Sequence, residues 1–135
     1  MSKLLCECGH VIHDHESGLD YKAILISDKD FVGFFDWVID EIQEYVIAAT
    51  AGETEKWLLS KGFGKDYVGL GLDHGNVLHD HLHTRFLDIK KDVYECVRCG
   101  RLHVEREGNN FLSFFPENKL FNDLFKNCPH SENNE

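Results

Sequence analysis

Basic residues are scarce in this chain: 14 Lys and Arg stand against 24 Asp and Glu, a formal charge of −10 at pH 7. Nucleic-acid binding depends on Lys and Arg neutralising phosphates, and docking on anionic membranes depends on the same residues. Both are excluded as general functions, and the balance suits a soluble protein or one with a basic partner. Long apolar runs are missing as well. The nearest, Tyr45 to Gly52, falls far short of the roughly 18 residues a membrane span requires. The N-terminal stretch reaches Cys6, Glu7 and Cys8 before any apolar segment of a signal peptide can form, so none is expected. Gly-x-Ser-x-Gly is absent, and no Gly-Lys-Ser/Thr closes the glycines between Gly62 and Gly75; the usual nucleophile elbow and phosphate cradle are thereby excluded. No internal repeat or low-complexity block occurs.

What is present suits a folded domain. A chain of 135 residues with 42% hydrophobic content and only two prolines buries about two-thirds of its unfolded surface without a disulfide scaffold. One domain is expected over residues 1–130, followed by a disordered polar tail, Ser131 to Glu135. Tyr21 to Ile26 reads as a buried strand. From Lys29 to Ala48, Phe31, Phe34, Phe35, Val38, Ile39, Ile42, Tyr45 and Val46 recur at three- and four-residue steps, the stripe of an amphipathic helix. Ser27 or Asp28 caps it. A short helix over Glu53 to Lys61 stops at Gly62. Gly62 to Asp88 reads as turns with one strand around Tyr67 to Leu72. Strands return at Asp92 to Val97, Arg101 to Glu107 and Phe111 to Phe115, with a short helix over Asn118 to Lys126.

The sharpest motifs are Cys6-Glu7-Cys8-Gly9 and Cys96-Val97-Arg98-Cys99-Gly100. Each sets two thiolates in one tight turn, and glycine lets the backbone N–H groups turn toward the sulfurs. Two such knuckles at the two ends of a domain can close a tetrahedral zinc site of four cysteines. Five cysteines with no expected signal peptide imply a reducing compartment, taken as the cytoplasm, where cysteine pairs more often hold metal than form disulfides. Three other readings stay open: a redox pair at Cys96 and Cys99, a catalytic zinc with His10 or His103 intruding, and buried thiols without metal. Cys128 and His130 form a further ligand-like pair.

Two other clusters carry chemistry. His74, His79, His81 and His83, with Asp73 and Asp80 nearby, have the composition of a metal-dependent hydrolase, though not its His-Glu-x-x-His spacing. Otherwise they are a surface cluster titrating near neutrality. Asp36, Asp40 and Glu44 stand at i, i+4 and i+8 on the long helix, with Glu41 beside them. They are either a solvated face or a ridge offered to a basic partner. The basic stretch from Arg85 to Arg106 contains Asp88, Asp92, Glu95 and Glu105, too mixed for a zinc ribbon that grips nucleic acid.

The frame Cys6-x-Cys8-Gly9-x-x-Ile12-x-Asp14 resembles a group of small bacterial immunity-type proteins of toxin and contact-dependent inhibition systems. So do Tyr21-Lys22-Ala23 before Leu25-Ile26, the amphipathic helix, and Tyr94-Glu95-Cys96-x-x-Cys99-Gly100-Arg101-Leu102-x-Val104-Glu105 ahead of Phe114-x-Pro116-Glu117. The likeness covers both ends and the long helix and leaves out Gly62 to Arg85. It implies a zinc-stabilised domain without catalysis of its own. The expected architecture is α+β: an antiparallel sheet, one long helix packed on it, and a zinc-ribbon-like site of Cys6, Cys8, Cys96 and Cys99 joining the terminal strands. The expected function is neutralisation of a basic, nuclease-type toxin through Asp36, Asp40, Glu41 and Glu44. A hydrolase built on His74–His83 and a zinc-ribbon regulatory adaptor are the competing expectations.

Overall fold

A computed structural model describes residues 3–118 and 124–126. The expected tail, Cys128 and His130, and most of the expected Asn118 to Lys126 helix lie outside the described residues. The architecture is α+β with antiparallel sheets. Strands β1 (Lys3–Leu5) and β2 (Val11–His13) form a hairpin. Strand β3 (Lys22–Leu25) leads into helices α1 (Asp28–Thr50), α2 (Thr54–Ser60), α3 (Lys65–Val68) and α4 (His74–Ile89). Strands β4 (Lys91–Glu95), β5 (Leu102–Glu107) and β6 (Asn110–Phe114) follow, and β3-β4-β5-β6 make a four-stranded antiparallel sheet in that order. The region expected to be one domain contains two compact units. One holds the chain up to Leu25 and again from Lys91; the other is Ile26–Lys90.

In the strand unit the buried core is small: Cys6, Ile12, Tyr94 and Cys96, with Leu4, Tyr21 and Phe111 packed against it. Alternation fixes which residues enter it. Tyr94 pairs with Lys22 on one side and His103 on the other, so Tyr94 and His103 share a face and are both buried. Two of the four residues of that cluster are cysteines, and Val93 adds little more, so apolar burial alone contributes little here. That is the circumstance in which small folds depend on a staple.

The helical unit has a conventional aromatic core of Tyr45, Trp57, Leu58 and Val77, with Ala48, Ala49, Phe63, Tyr67, Val68 and Leu78 around it. Helix α1 begins where its cap requires, with the Asp30 N–H donating to Ser27 Oγ at 3.1 Å. Its expected apolar stripe divides. Tyr45 is buried and Phe34 and Val38 are half-buried, whereas Phe31, Phe35, Ile39, Ile42 and Val46 are exposed. The Gly62 to Asp88 segment, expected as turns with a strand near Tyr67 to Leu72, is helical instead. Asp73 caps α4 by accepting from the Asn76 N–H at 2.8 Å. Val77, Leu78, His81, Leu82, Phe86 and Ile89 turn inward. A histidine occupies an inward helix position, which interrupts the apolar period that would announce a helix.

Candidate metal centre

The turn between β1 and β2 carries Cys6 and Cys8, and the turn between β4 and β5 carries Cys96 and Cys99. Each turn closes on its glycine. The Gly9 N–H donates to the Cys6 carbonyl at 2.9 Å, and the Gly100 N–H to the Cys96 carbonyl at 2.8 Å. Both glycines have positive φ, +94° and +81°, where a side chain would be strained. The Cys6 N–H and Cys96 N–H are satisfied by the His10 and Arg101 carbonyls. Both knuckles are therefore built from local hydrogen bonds, and their sulfurs meet across the unit.

Cys6 Sγ lies 3.5 Å from Cys99 Sγ, and Cys8 Sγ lies 3.6 Å from Cys96 Sγ. All four sulfurs fall within 4.8 Å of one another. A tetrahedron with metal–sulfur bonds of about 2.3 Å has edges of about 3.8 Å, so the four thiols fit a single ion. Their electrostatics are uneven. Burial pushes the Cys6 thiol up to about 12 and raises Cys96 as well. Burial acts on Cys99 in the same sense, but hydrogen bonds from the Arg101 N–H and guanidinium outweigh it and bring Cys99 down to about 7. Arg101 Nη1 donates to Cys99 Sγ at 3.3 Å, its Nε lies 3.8 Å from Glu7, and its guanidinium sits 4.8 Å from the Phe115 ring centroid. One thiolate is thus stabilised by a held cation, and coordinated thiolates would profit from the same charge.

Arg101 was legible in sequence as a member of the basic stretch, but its role was not. His103 is similar. It is fully buried, and its Nδ1 is 2.8 Å from Ser113 Oγ. With Cys6 and Glu7 it forms a second close group of ligand-type side chains. It does not join the four-cysteine cluster, and neither does His10.

The other expected residues are dispersed. Asp36 and Asp40 are exposed on α1. Glu41 is not available to a partner: it is 8% exposed and pairs with Lys61 Nζ at 2.8 Å. This corrects the expectation of Glu41 as a partner residue, because α2 and α4 pack over the face where it sits. Glu44 is half exposed, but its carboxylate already binds Lys61 at 3.1 Å and accepts from Trp57 Nε1 at 3.1 Å.

The four histidines face different surroundings. His74 Nδ1 is 2.5 Å from the Tyr45 hydroxyl. His79 and His83 stack at 5.0 Å, while His81 is enclosed by Trp37, Trp57 and Phe63 and lies 3.7 Å from Glu41. None joins a group of three metal-type ligands among the described residues. No helix among the described residues is long and apolar enough to cross a membrane.

Among the described residues, two antiparallel sheets, a helical unit inserted in sequence between β3 and β4, and four clustered thiols that could hold a metal ion define a small α+β protein. The chain belongs to the family described as Domain of unknown function (DUF8617), which it matches over residues 2–122. Neither a curated protein nor a solved structure matches it.

Proposed function

We propose that this chain is a non-catalytic, immunity-type binding protein that neutralises a basic protein toxin in the cytoplasm, its strand unit held by structural zinc. The observation that carries the binding reading is the charge of α1. Asp36 and Asp40 are exposed, and no Lys or Arg occurs between Lys29 and Lys56. A nuclease-type toxin presents a basic cleft to phosphate, and an acidic face that enters it mimics that charge. Complementary charge accelerates encounter and rejects wrong partners. Zinc suits the donor set, because four thiolates leave no position for water or substrate, the mark of a structural site.

Growth rescue tests the reading. Cells expressing the product of the gene adjoining this one should be protected when the chain is co-expressed, and protection should fall with Asp36→Lys/Asp40→Lys. A neighbouring product that is not toxic, or a chain that neither binds nor protects, rejects it.

A further inference from the structure

Helix α1 has two apolar faces, and only one of them is used inside its own unit. Tyr45, with half-buried Phe34, Trp37 and Val38, faces inward, and α1 contacts α2 and α4. Phe31, Phe35, Ile39, Ile42 and Val46 are all exposed, from 38% at Ile42 to 58% at Ile39. Their spacing is four, four, three and four residues. On a helix of 3.6 residues per turn this places all five within an arc of about 80°. The Phe31 and Phe35 rings lie 5.0 Å apart, so the stripe begins as a continuous aromatic platform. Single exposed apolar residues need no explanation, but a contiguous rimmed stripe along a helix marks an interaction surface. The spacing is also that of a two-helix seam, in which apolar knobs at a and d meet a partner helix.

The rim decides what can sit there. Turning round the helix from Ile39, the next face carries Asp36 and Asp40, both exposed. No Lys or Arg of α1 lies beyond Lys29 to offset them. A second copy of this chain fits badly. Pairing two α1 helices antiparallel about Ile39 would bring the Asp36 and Asp40 pairs of both copies to the same seam, where like charges repel. An anionic membrane surface would be repelled for the same reason.

We infer that the exposed face of α1 receives an amphipathic helix with basic flanks, its apolar residues on Phe31, Phe35, Ile39, Ile42 and Val46 and its Lys or Arg beside Asp36 and Asp40. This deepens the reading of α1 as the partner surface. It does not depend on the partner being a toxin.

The test uses the full, metal-loaded chain and a fluorescent synthetic helix of about three heptads, with Leu at a and d and Lys at e and g. A second peptide, with Glu in place of Lys, is the control. The basic peptide should bind, more weakly as salt rises, and the acidic one should not. Phe35→Asp/Ile42→Asp should reduce affinity on the order of a hundredfold. Asp36→Lys/Asp40→Lys should reduce it roughly tenfold and flatten the salt dependence. Circular dichroism and metal content confirm that each variant keeps its fold. The inference is overturned if the basic peptide fails to bind, if the acidic peptide binds equally, or if Phe35→Asp/Ile42→Asp instead dissolves a dimer seen by sedimentation. A chain that binds the peptide but gives no growth rescue rejects only the toxin reading. A chain whose Phe35→Asp/Ile42→Asp form still binds and neutralises the toxin rejects only this inference.

Discussion

Lys61 shows how one side chain redirects the acidic residues around it. Its ammonium bridges Glu41 and Glu44 and lies 5.5 Å from the Trp57 ring centroid. Residues that looked like a partner ridge by spacing are therefore partly structural. Lys61→Met would leave Glu41 buried beside an apolar chain, and breaking such a pair costs about 3 kcal/mol. The midpoint of urea unfolding should fall accordingly, and adding Glu41→Gln should restore most of the loss. A double variant as unstable as Lys61→Met alone would disprove the buried-charge account.

Asp14 adds a pH-dependent contribution. Burial pushes its carboxyl up, but the Lys22 ammonium at 2.6 Å and the Tyr94 hydroxyl outweigh this and hold it below the ordinary 3.8. A depressed carboxyl contributes stability above its unfolded value, lost as the pH falls through the lower folded value. Asp14→Asn should cost about 2 kcal/mol at neutral pH. The gap between the two proteins should shrink once the pH drops below 3.8; a gap constant to pH 2 would contradict the linkage. At the metal centre, Cys99→Ser should abolish tight metal binding, read by elemental analysis, and destabilise the chain by several kcal/mol.

At the scale of elements, helix boundaries follow from single side chains. Ser27 and Asp73 each accept an N–H of the first turn, and replacing either with Ala should cost about 1 kcal/mol, measured as a shift in the urea midpoint. No change for Asp73→Ala would mean that packing alone holds α4. The two helices differ in how far they could be read. Helix α1 advertises itself through aromatic and β-branched residues at helical steps after a cap, and the sequence boundaries lie within two residues of the observed ones. Helix α4 hides. His81 occupies a position where apolar side chains are usual, and Gly75 sits in the first turn. Periodicity therefore fails where a polar ring is buried among aromatics. The strands around the second knuckle were legible because hydrophobic alternation and turn glycines agree there.

Over the whole molecule, the two units keep their shape by different means. The helical unit relies on aromatic packing around Tyr45 and Trp57, while the strand unit places cysteines at the centre of a small core. Chelation should therefore raise amide hydrogen exchange in β1, β2, β4 and β5 well before α1 and α4 lose protection. Simultaneous loss in all six elements would show one cooperative unit instead.

The two cysteine knuckles and the long helix were decided by the sequence itself, since a Cys-x-x-Cys-Gly turn and a capped apolar period are set by residues within a few positions of one another, whereas the meeting of Cys6 with Cys99 and Cys8 with Cys96 is tertiary. The fate of the charged and aromatic side chains was decided only by the tertiary structure. Glu41 is buried while Asp40 is exposed, and Phe34 is half-buried while Phe35 is exposed. Neighbours in a chain differ in this way because burial depends on which distant element arrives to cover a face, and no local pattern specifies that arrival.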